Sequence, residues 1–365
     1  MTQPQIGCTK DDLDTPALCI DLDVLDRNIK SMAETCSSQG VQWRPHCKCH
    51  KSPMIANKQI QAGAIGITCA KLGEAEVMAA GGIQDMLIAN LIVGEKKLRR
   101  LVELCRQANP VVCVDHISQA EAFNRVMTEA GLQLRVILEV DIGLERVGVL
   151  PEKSVELAKQ VVELPGLKFS GIMGYEGHLL RVQDPVEKRE KIHAALDVLI
   201  GTRDAIAEAG IACEIVSCGG TGSYFISVEH DGITELQAGG GIFMDAFYRY
   251  GLNVPALEYA ITVLTTVVSR GAPDRAIVDS GRKTVHTDFH EPLVKGRDDM
   301  TVEALSAEHG KLKLEESAQD LRIGDRLELV PGYVDFTSVL HDNFYVFQDD
   351  KLVDIWPIEG RGKLQ

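Results

Sequence analysis

Eight residues near the start of the chain carry a dense set of reactive side chains: Arg44-Pro45-His46-Cys47-Lys48-Cys49-His50-Lys51. Imidazoles, thiols and ammonium groups at this spacing suggest either a zinc cluster or a functional lysine. If the segment continues as a strand, His46, Lys48 and His50 share one face and Cys47 and Cys49 the other. Four ligands then cannot converge on one metal. Lysine is rarely buried unless it is paired or chemically used. Desolvation lowers its pKa toward the range in which it forms a Schiff base. Taken alone, Lys48 could equally be a strand-end lysine bonded to backbone.

Four further clusters follow. Residues 139–149 deliver Asp141 and then, after a glycine turn, Arg146. That arginine suits an acidic or phenolate oxygen on a ligand, or a surface ion pair with Glu145. Gly174-Tyr175-Glu176-Gly177-His178 puts Tyr175 and His178 where either can stack on or bond to a flat ligand. Ser217-Cys218-Gly219-Gly220-Thr221-Gly222-Ser223 and Gln237-Ala238-Gly239-Gly240-Gly241 are glycine-rich. Glycine lets backbone N–H groups approach an anion closely.

These clusters need a scaffold, and the hydrophobic pattern supplies one. Apolar runs at 43–48, 65–70, 85–90, 111–115, 134–141, 169–176, 213–219 and 235–239 alternate with amphipathic segments. One such segment places Leu25, Ile29, Met32 and Cys36 on a single helical face and stops at Gly40. Alternating strands and helices imply a parallel sheet, and eight units over about 200 residues is the count of a (β/α)8 barrel. An open doubly wound sheet usually shows a GxGxxG turn after its first strand, and none is present here. In a barrel, the clusters all fall at the C-terminal ends of strands. The two glycine runs follow the seventh and eighth strands, where phosphate sites are often built. A first-strand lysine, an arginine after the fifth strand and a phosphate cradle are the layout needed for pyridoxal 5′-phosphate (PLP).

Beyond about residue 255 strands follow one another without helices, ending in a hairpin around Gln348-Asp349-Asp350-Lys351. The expected domains are therefore a barrel over 14–255 and an all-β domain over 256–365. A chain of 365 residues exceeds the usual size of one core, about 250–300 residues. The net charge of −15 excludes a polyanion or nucleic-acid partner and an anionic membrane surface. The sequence shows neither a membrane-span-length apolar run nor a secretory signal. Ten cysteines without a framework spacing read as buried thiols in the cytoplasm.

The chain resembles the fold-type III PLP enzymes, with an alanine racemase-like barrel and then a β domain. More narrowly, it is similar to the group containing D-threonine aldolase, 3-hydroxy-D-aspartate aldolase and D-serine dehydratase. The likeness runs from Asp14-Thr15-Pro16-Ala17 to Arg361-Gly362-Lys363, with the Arg44–Lys51 signature its most specific part. It implies that Lys48 is the Schiff-base lysine, that Arg146 meets the cofactor's phenolic oxygen and that Tyr175 lies near its ring. It also implies that Gly219, Gly220, Thr221, Gly222, Gly240 and Gly241 surround the phosphate. His178 joins Lys48 as a catalytic candidate. The group is usually a homodimer with shared active sites.

One departure affects the reaction. The group carries Pro-x-His-x-Asp or Pro-x-His-x-Cys in its β domain, where the last two polar positions bind a divalent metal. This chain reads Pro331-Gly332-Tyr333-Val334-Asp335. Mg²⁺ or Mn²⁺ could bind Asp335 with waters, or His341 could substitute spatially. Alternatively, Tyr333 does acid–base work in place of a metal. The expected function is a PLP-dependent lyase acting on small D-3-hydroxy amino acids. The alternatives are a racemase using Lys48 and Tyr333, a D-serine or 3-hydroxyaspartate dehydratase, and a PLP-homeostasis protein. Arg181 and Arg249 are candidates to meet a second substrate carboxylate.

Overall fold

The computed structural model describes residues 4–365. Strand β1 (Ala17–Asp21) and helix α1 (Leu22–Ser38) come first. Strands β2 (Gln42–Trp43), β3 (Ile67–Cys69), β4 (Asp85–Leu91), β5 (Asn109–Val114), β6 (Leu134–Glu139), β7 (Leu167–Met173), β8 (Ile215–Cys218) and β9 (Glu235–Leu236) follow. Between them run α2 (Pro53–Gln61), α3 (Leu72–Ala80), α4 (Glu95–Cys105), α5 (Ile117–Ala130), α6 (Pro151–Val162) and α7 (Pro185–Glu208). The eight strands from β2 to β9 form one parallel sheet in the order β2-β9-β8-β7-β6-β5-β4-β3. A bridge between His46 and Thr68 joins its two ends and closes the ring. Each of the eight segments expected from the sequence contributes its strand to this (β/α)8 barrel.

The local reasons are visible in the side chains. Leu25, Ile29, Met32 and Cys36 are buried along α1, while Asp26, Arg27, Lys30 and Glu34 on the other faces are exposed. Gly40, at φ +69°, turns the chain out of that helix. Inside the barrel Leu87, Val111, Cys113, Ile137 and Met173 pack together. At the N-terminal ends of the strands Arg44 donates to both carboxylate oxygens of Glu235 at 3.1 and 3.0 Å. It also pairs with Asp85, which receives Arg135 at 2.9 Å. This end of the barrel is held by buried charge pairs, which leaves the opposite end for chemistry.

The remaining strands are β10 (Ile261–Ala272), β11 (Arg275–Val278), β12 (Leu293–Val294), β13 (Met300–Leu305), β14 (Gly310–Leu314), β15 (Arg326–Val330), β16 (Asn343–Gln348) and β17 (Lys351–Pro357). They build a nine-stranded sheet with the path β13-β14-β11-β10-β1-β16-β17, to which β15 and β12 attach beside β10. Asp349 and Asp350, at φ +46° and +58°, make the tight turn between β16 and β17. The sheet recruits β1, which pairs antiparallel with β10 and parallel with β16.

The compact units therefore divide differently from the boundary expected at 255/256. One contains the segment ending at Ser31 together with Gly240–Arg361, and the other contains Met32–Gly239 together with Gly362–Gln365. The hydrogen bonding of β1 is the physical reason on the N-terminal side. Among the described residues no helix is long and apolar enough to cross a membrane.

Candidate active site

Lys48 does not sit on a continuing strand. β2 ends at Trp43, and Cys47–Cys49 form a single 3₁₀ turn, so the expected strict alternation of faces does not apply. The imidazole of His46 caps this turn, its Nδ1 accepting from the Lys48 N–H at 3.3 Å. The thiols of Cys47 and Cys49 point inward and are buried. Cys47 reaches Cys69 at 3.7 Å, and Cys49 donates to the Gly239 carbonyl at 3.6 Å. Lys48 itself is half-buried. The other lysine of the signature, Lys51, is buried in an ion pair with Glu74. Burial holds the His46 pKa well below its usual range, helped by the positive charges of Lys48, Lys51 and Arg146.

The loop after β6 carries Arg146 and is tied at several points. Asp141 Oδ1 accepts from Gly143 and Glu145 N–H, each at 3.0 Å, and Asp115 Oδ2 accepts from Gly148 N–H at 3.0 Å. Arg146 lies 3.8 Å from Glu139 and 5.6 Å above the ring of Tyr175, so the ion pair with Glu145 considered from sequence is not the arrangement adopted. Burial raises the pKa of Glu139, which Arg146 opposes. Tyr175 follows β7, and its ring is so close to Gly220 that a Cβ there would stand 3.1 Å from Cε2. Gly219, at φ +79°, is fastened by Glu176, which accepts from Gly219 N–H at 3.3 Å and from Ser227 Oγ at 2.6 Å. His178 is exposed on a short 3₁₀ turn beside Gly143. Arg146, Tyr175 and the loop Gly219-Gly220-Thr221-Gly222 thus form one platform at the C-terminal ends of β6, β7 and β8.

In the other unit Gly240 packs against the Tyr248 hydroxyl and Gly241 is buried. Tyr333 is buried and is enclosed edge-on by Phe247, Phe289 and Phe336 with centroids at 5.6, 5.1 and 5.0 Å. Its hydroxyl donates to Asp335 Oδ2 at 2.9 Å. Asp245 accepts from Val334 N–H at 2.8 Å, and burial pushes its pKa well up. His341 donates through Nε2 to the Thr284 carbonyl at 2.7 Å.

Residues 20–246 match the family model "Alanine racemase, N-terminal domain". The chain belongs to that family. Residues 260–347 match a second model, "Putative serine dehydratase domain". Within this alanine racemase-like family the chain is 39% identical to D-threonine aldolase of an Arthrobacter species, over 96% of this chain and 93% of that one. It is 35% identical to 3-hydroxy-D-aspartate aldolase of Paracoccus denitrificans, over 98% and 94%. The crystal structure of D-threonine aldolase from Filomicrobium marinum superposes with a TM-score of 0.96 at 38% identity, covering 99% of both chains.

The family implies PLP, and the barrel residues fit it. The glycines of the 219–222 loop leave backbone open beside Tyr175, where a side chain at 220 would crowd the ring. Arg146 supplies a cation over the Tyr175 ring and Lys48 an amine on a capped turn. A divalent metal fits less well. The position of the group's histidine holds a phenol, a weak ligand for hard cations, and that phenol is bonded to Asp335. Nor does His341 join it, since its Nε2 serves Thr284. Among the described residues no three His, Cys, Asp or Glu side chains form a metal-binding group.

Arg249 bonds the carbonyls of Val254 and Leu257, whereas Arg181 is exposed. Sequence reasoning assigned no role to Glu74, Glu139, Glu176 or Gln237. The last is buried and donates to Ser217 Oγ at 2.9 Å. The only available signal was that each polar residue lies at or near the C-terminal end of a barrel strand.

Proposed function

We propose that the protein is a PLP-dependent carbon–carbon lyase that cleaves D-configured 3-hydroxy amino acids to glycine and an aldehyde. The observation that carries this reading is the full-length likeness to D-threonine aldolase. When bound, the cofactor supplies an electron sink for the charge left as Cα–Cβ breaks.

The chain's own residues do the rest. Lys48 is the residue that would hold the cofactor, and its amine is the group placed to return a proton to Cα. The guanidinium of Arg146 would meet the cofactor's phenolic oxygen, and Tyr175, whose ring Arg146 covers, would lie beside its ring. The amides of the Gly219–Gly222 loop would receive the phosphate, and Gly240 and Gly241 are further candidates for it. Tyr333 Oη accepts the proton of the substrate's 3-hydroxyl while passing its own to Asp335 Oδ2, the oxygen it already bonds. This route uses oxygen acids where the related enzymes carry histidine, and the enzyme needs no divalent metal. The same reading makes it a cytoplasmic homodimer with shared sites.

The test is incubation of the PLP-loaded protein with D-threonine, D-serine and D-alanine, followed by chiral product analysis, with and without EDTA. We expect glycine and acetaldehyde from D-threonine, unchanged by EDTA. Lys48→Ala is expected to lose both turnover and the visible band of the lysine-bound cofactor. Faster racemisation of D-alanine would overturn the lyase reading, as would 2-oxo acid and ammonia from D-serine as the main reaction. Loss of activity in EDTA, restored by Mn²⁺, would overturn the metal-free part alone.

A further inference from the structure

The Arg44–Lys51 segment holds two lysines, and the second has no part in the mechanism above. Lys51 is 5% exposed, and Glu74, its ion-pair partner, is 0% exposed. Both belong to the barrel unit. The backbone of Lys51 is also unusual. Its φ is +50°, in the left-handed region that residues with a Cβ seldom adopt. Glycine is the usual occupant of such a position at the end of a helical turn. A lysine held there needs a side-chain interaction to offset the strain.

The turn that Lys51 ends is the one bearing Lys48. The Lys51 N–H donates to the Cys47 carbonyl at 2.7 Å, and the His50 N–H donates to the same oxygen at 3.0 Å. Two donors on one carbonyl close residues 47–51 into a single loop with Lys48 inside it. From this loop the Lys51 ammonium reaches Glu74 Oε1. The other carboxylate oxygen, Oε2, accepts from the Ala70 N–H at 2.5 Å and the Lys71 N–H at 3.3 Å. Ala70 and Lys71 link β3 to α3, and Glu74 lies in the first turn of α3, where the helix favours a negative charge. One carboxylate therefore ties the Lys48 turn to the connection that follows the neighbouring strand. Just before the turn, His46 and Thr68 bridge the same two stretches of chain, so the turn is fastened at both ends.

A buried ion pair adds little net stability, because desolvation offsets its attraction. Its distinctive contribution is geometric: Lys51 has one bonded direction, and that direction fixes the last residue of the turn. We propose that the Lys51–Glu74 pair is a staple that holds the left-handed close of the 47–51 turn and thereby aims Lys48, making Lys51 and Glu74 positioning residues for that lysine. The effect on the cofactor rests on the reading of Lys48 given above; the staple itself does not.

Two measurements test this. Lys51→Met combined with Glu74→Gln removes both charges together, so no unpaired charge is left buried, and an amide oxygen remains to accept from Ala70 and Lys71. With D-threonine the PLP-loaded double variant is expected to lose about 10- to 100-fold in kcat, the scale on which a small misplacement of a reacting group acts, with KM changed less than about twofold. The visible band of the lysine-bound cofactor is expected to shift or weaken. Hydrogen exchange on the full chain reads the staple independently of the cofactor. The His50 and Lys51 amides are expected to exchange about tenfold faster in the double variant, with β5 and β6 unchanged. Wild-type kcat and band in the folded double variant would overturn the positioning role, and unchanged exchange at His50 and Lys51 would overturn the staple. If the double variant does not fold, exchange in the wild-type chain decides. Protection of His50 and Lys51 matching that of Ala70 and Lys71 supports a shared fastening; exchange as fast as in an exposed loop refutes it. If Lys48→Ala keeps the visible band, the cofactor assignment fails, and the exchange result alone judges the staple.

Discussion

At the residue scale, Lys48, Arg146 and Tyr175 were singled out as candidates because each is an unusual type at the end of an apolar run. Their supports were not. Lys51 and Glu74 are 23 residues apart, and Glu176 and Ser227 are 51 apart; no local pattern announces either pair. Tyr333 was conspicuous only as a substitution within a motif. Its bond to Asp335 gives that substitution a chemical content, a phenol with a ready proton acceptor. Removing the hydroxyl should therefore affect turnover and spare binding. Tyr333→Phe keeps the ring contacts with Phe247, Phe289 and Phe336. It is expected to lower kcat by about 100-fold, the scale of a single acid–base group, with the cofactor band intact. Steady-state kinetics with D-threonine checks this, and kcat within twofold of wild type would remove Tyr333 from the reaction.

At the element scale, the barrel strands were legible because they are short apolar runs separated by amphipathic helices. Strands β13 and β14 were not. They alternate buried Met300, Val302, Leu312 and Leu314 with exposed Thr301, Glu303 and Lys313, a dilute pattern over five or six residues. The short turn at Cys47–Cys49 was also hidden, because its residues read as a strand continuing from β2. What stops that strand is a capping imidazole. The opposite end of the barrel offers a direct energetic test. Arg44 and Glu235 side chains are each 4% exposed, so removing one partner strands a buried charge. Arg44→Met is expected to cost about 3–5 kcal/mol, with much of that recovered in the Arg44→Met, Glu235→Leu double variant. Urea unfolding of the cofactor-free chains measures both, and a loss below about 1 kcal/mol in the single variant would show the network to be of little consequence.

At the scale of the whole molecule, acid sensitivity follows from histidines buried in neutral form. Burial pushes the His50 pKa down to about 3, against about 6.5 in an unfolded chain. The unfolded chain therefore binds the extra proton first. The stabilisation is complete above about pH 6.5 and is lost as the pH falls toward 3. His46 shifts in the same direction. Lowering the pH from 7.5 to 5 is expected to cost about 2 kcal/mol through His50 alone. Thermal melts across that range, with His50→Asn as the flatter control, test it; identical slopes for the two proteins would refute the assignment.

The recruitment of β1 into the second sheet has a consequence for how the protein is made. Ile20 pairs with Ile261, and Cys19 with Tyr345. A ribosome adds about 5–20 residues per second, so β1 leaves the exit tunnel tens of seconds before either neighbour exists. Throughout that interval an apolar strand, Ala-Leu-Cys-Ile-Asp, has no edge to join. The barrel can assemble behind it as its own strands emerge in order. Synthesis of this chain is thus a race between the arrival of β10, the first of the two neighbours to be made, and the capture of β1 by something else.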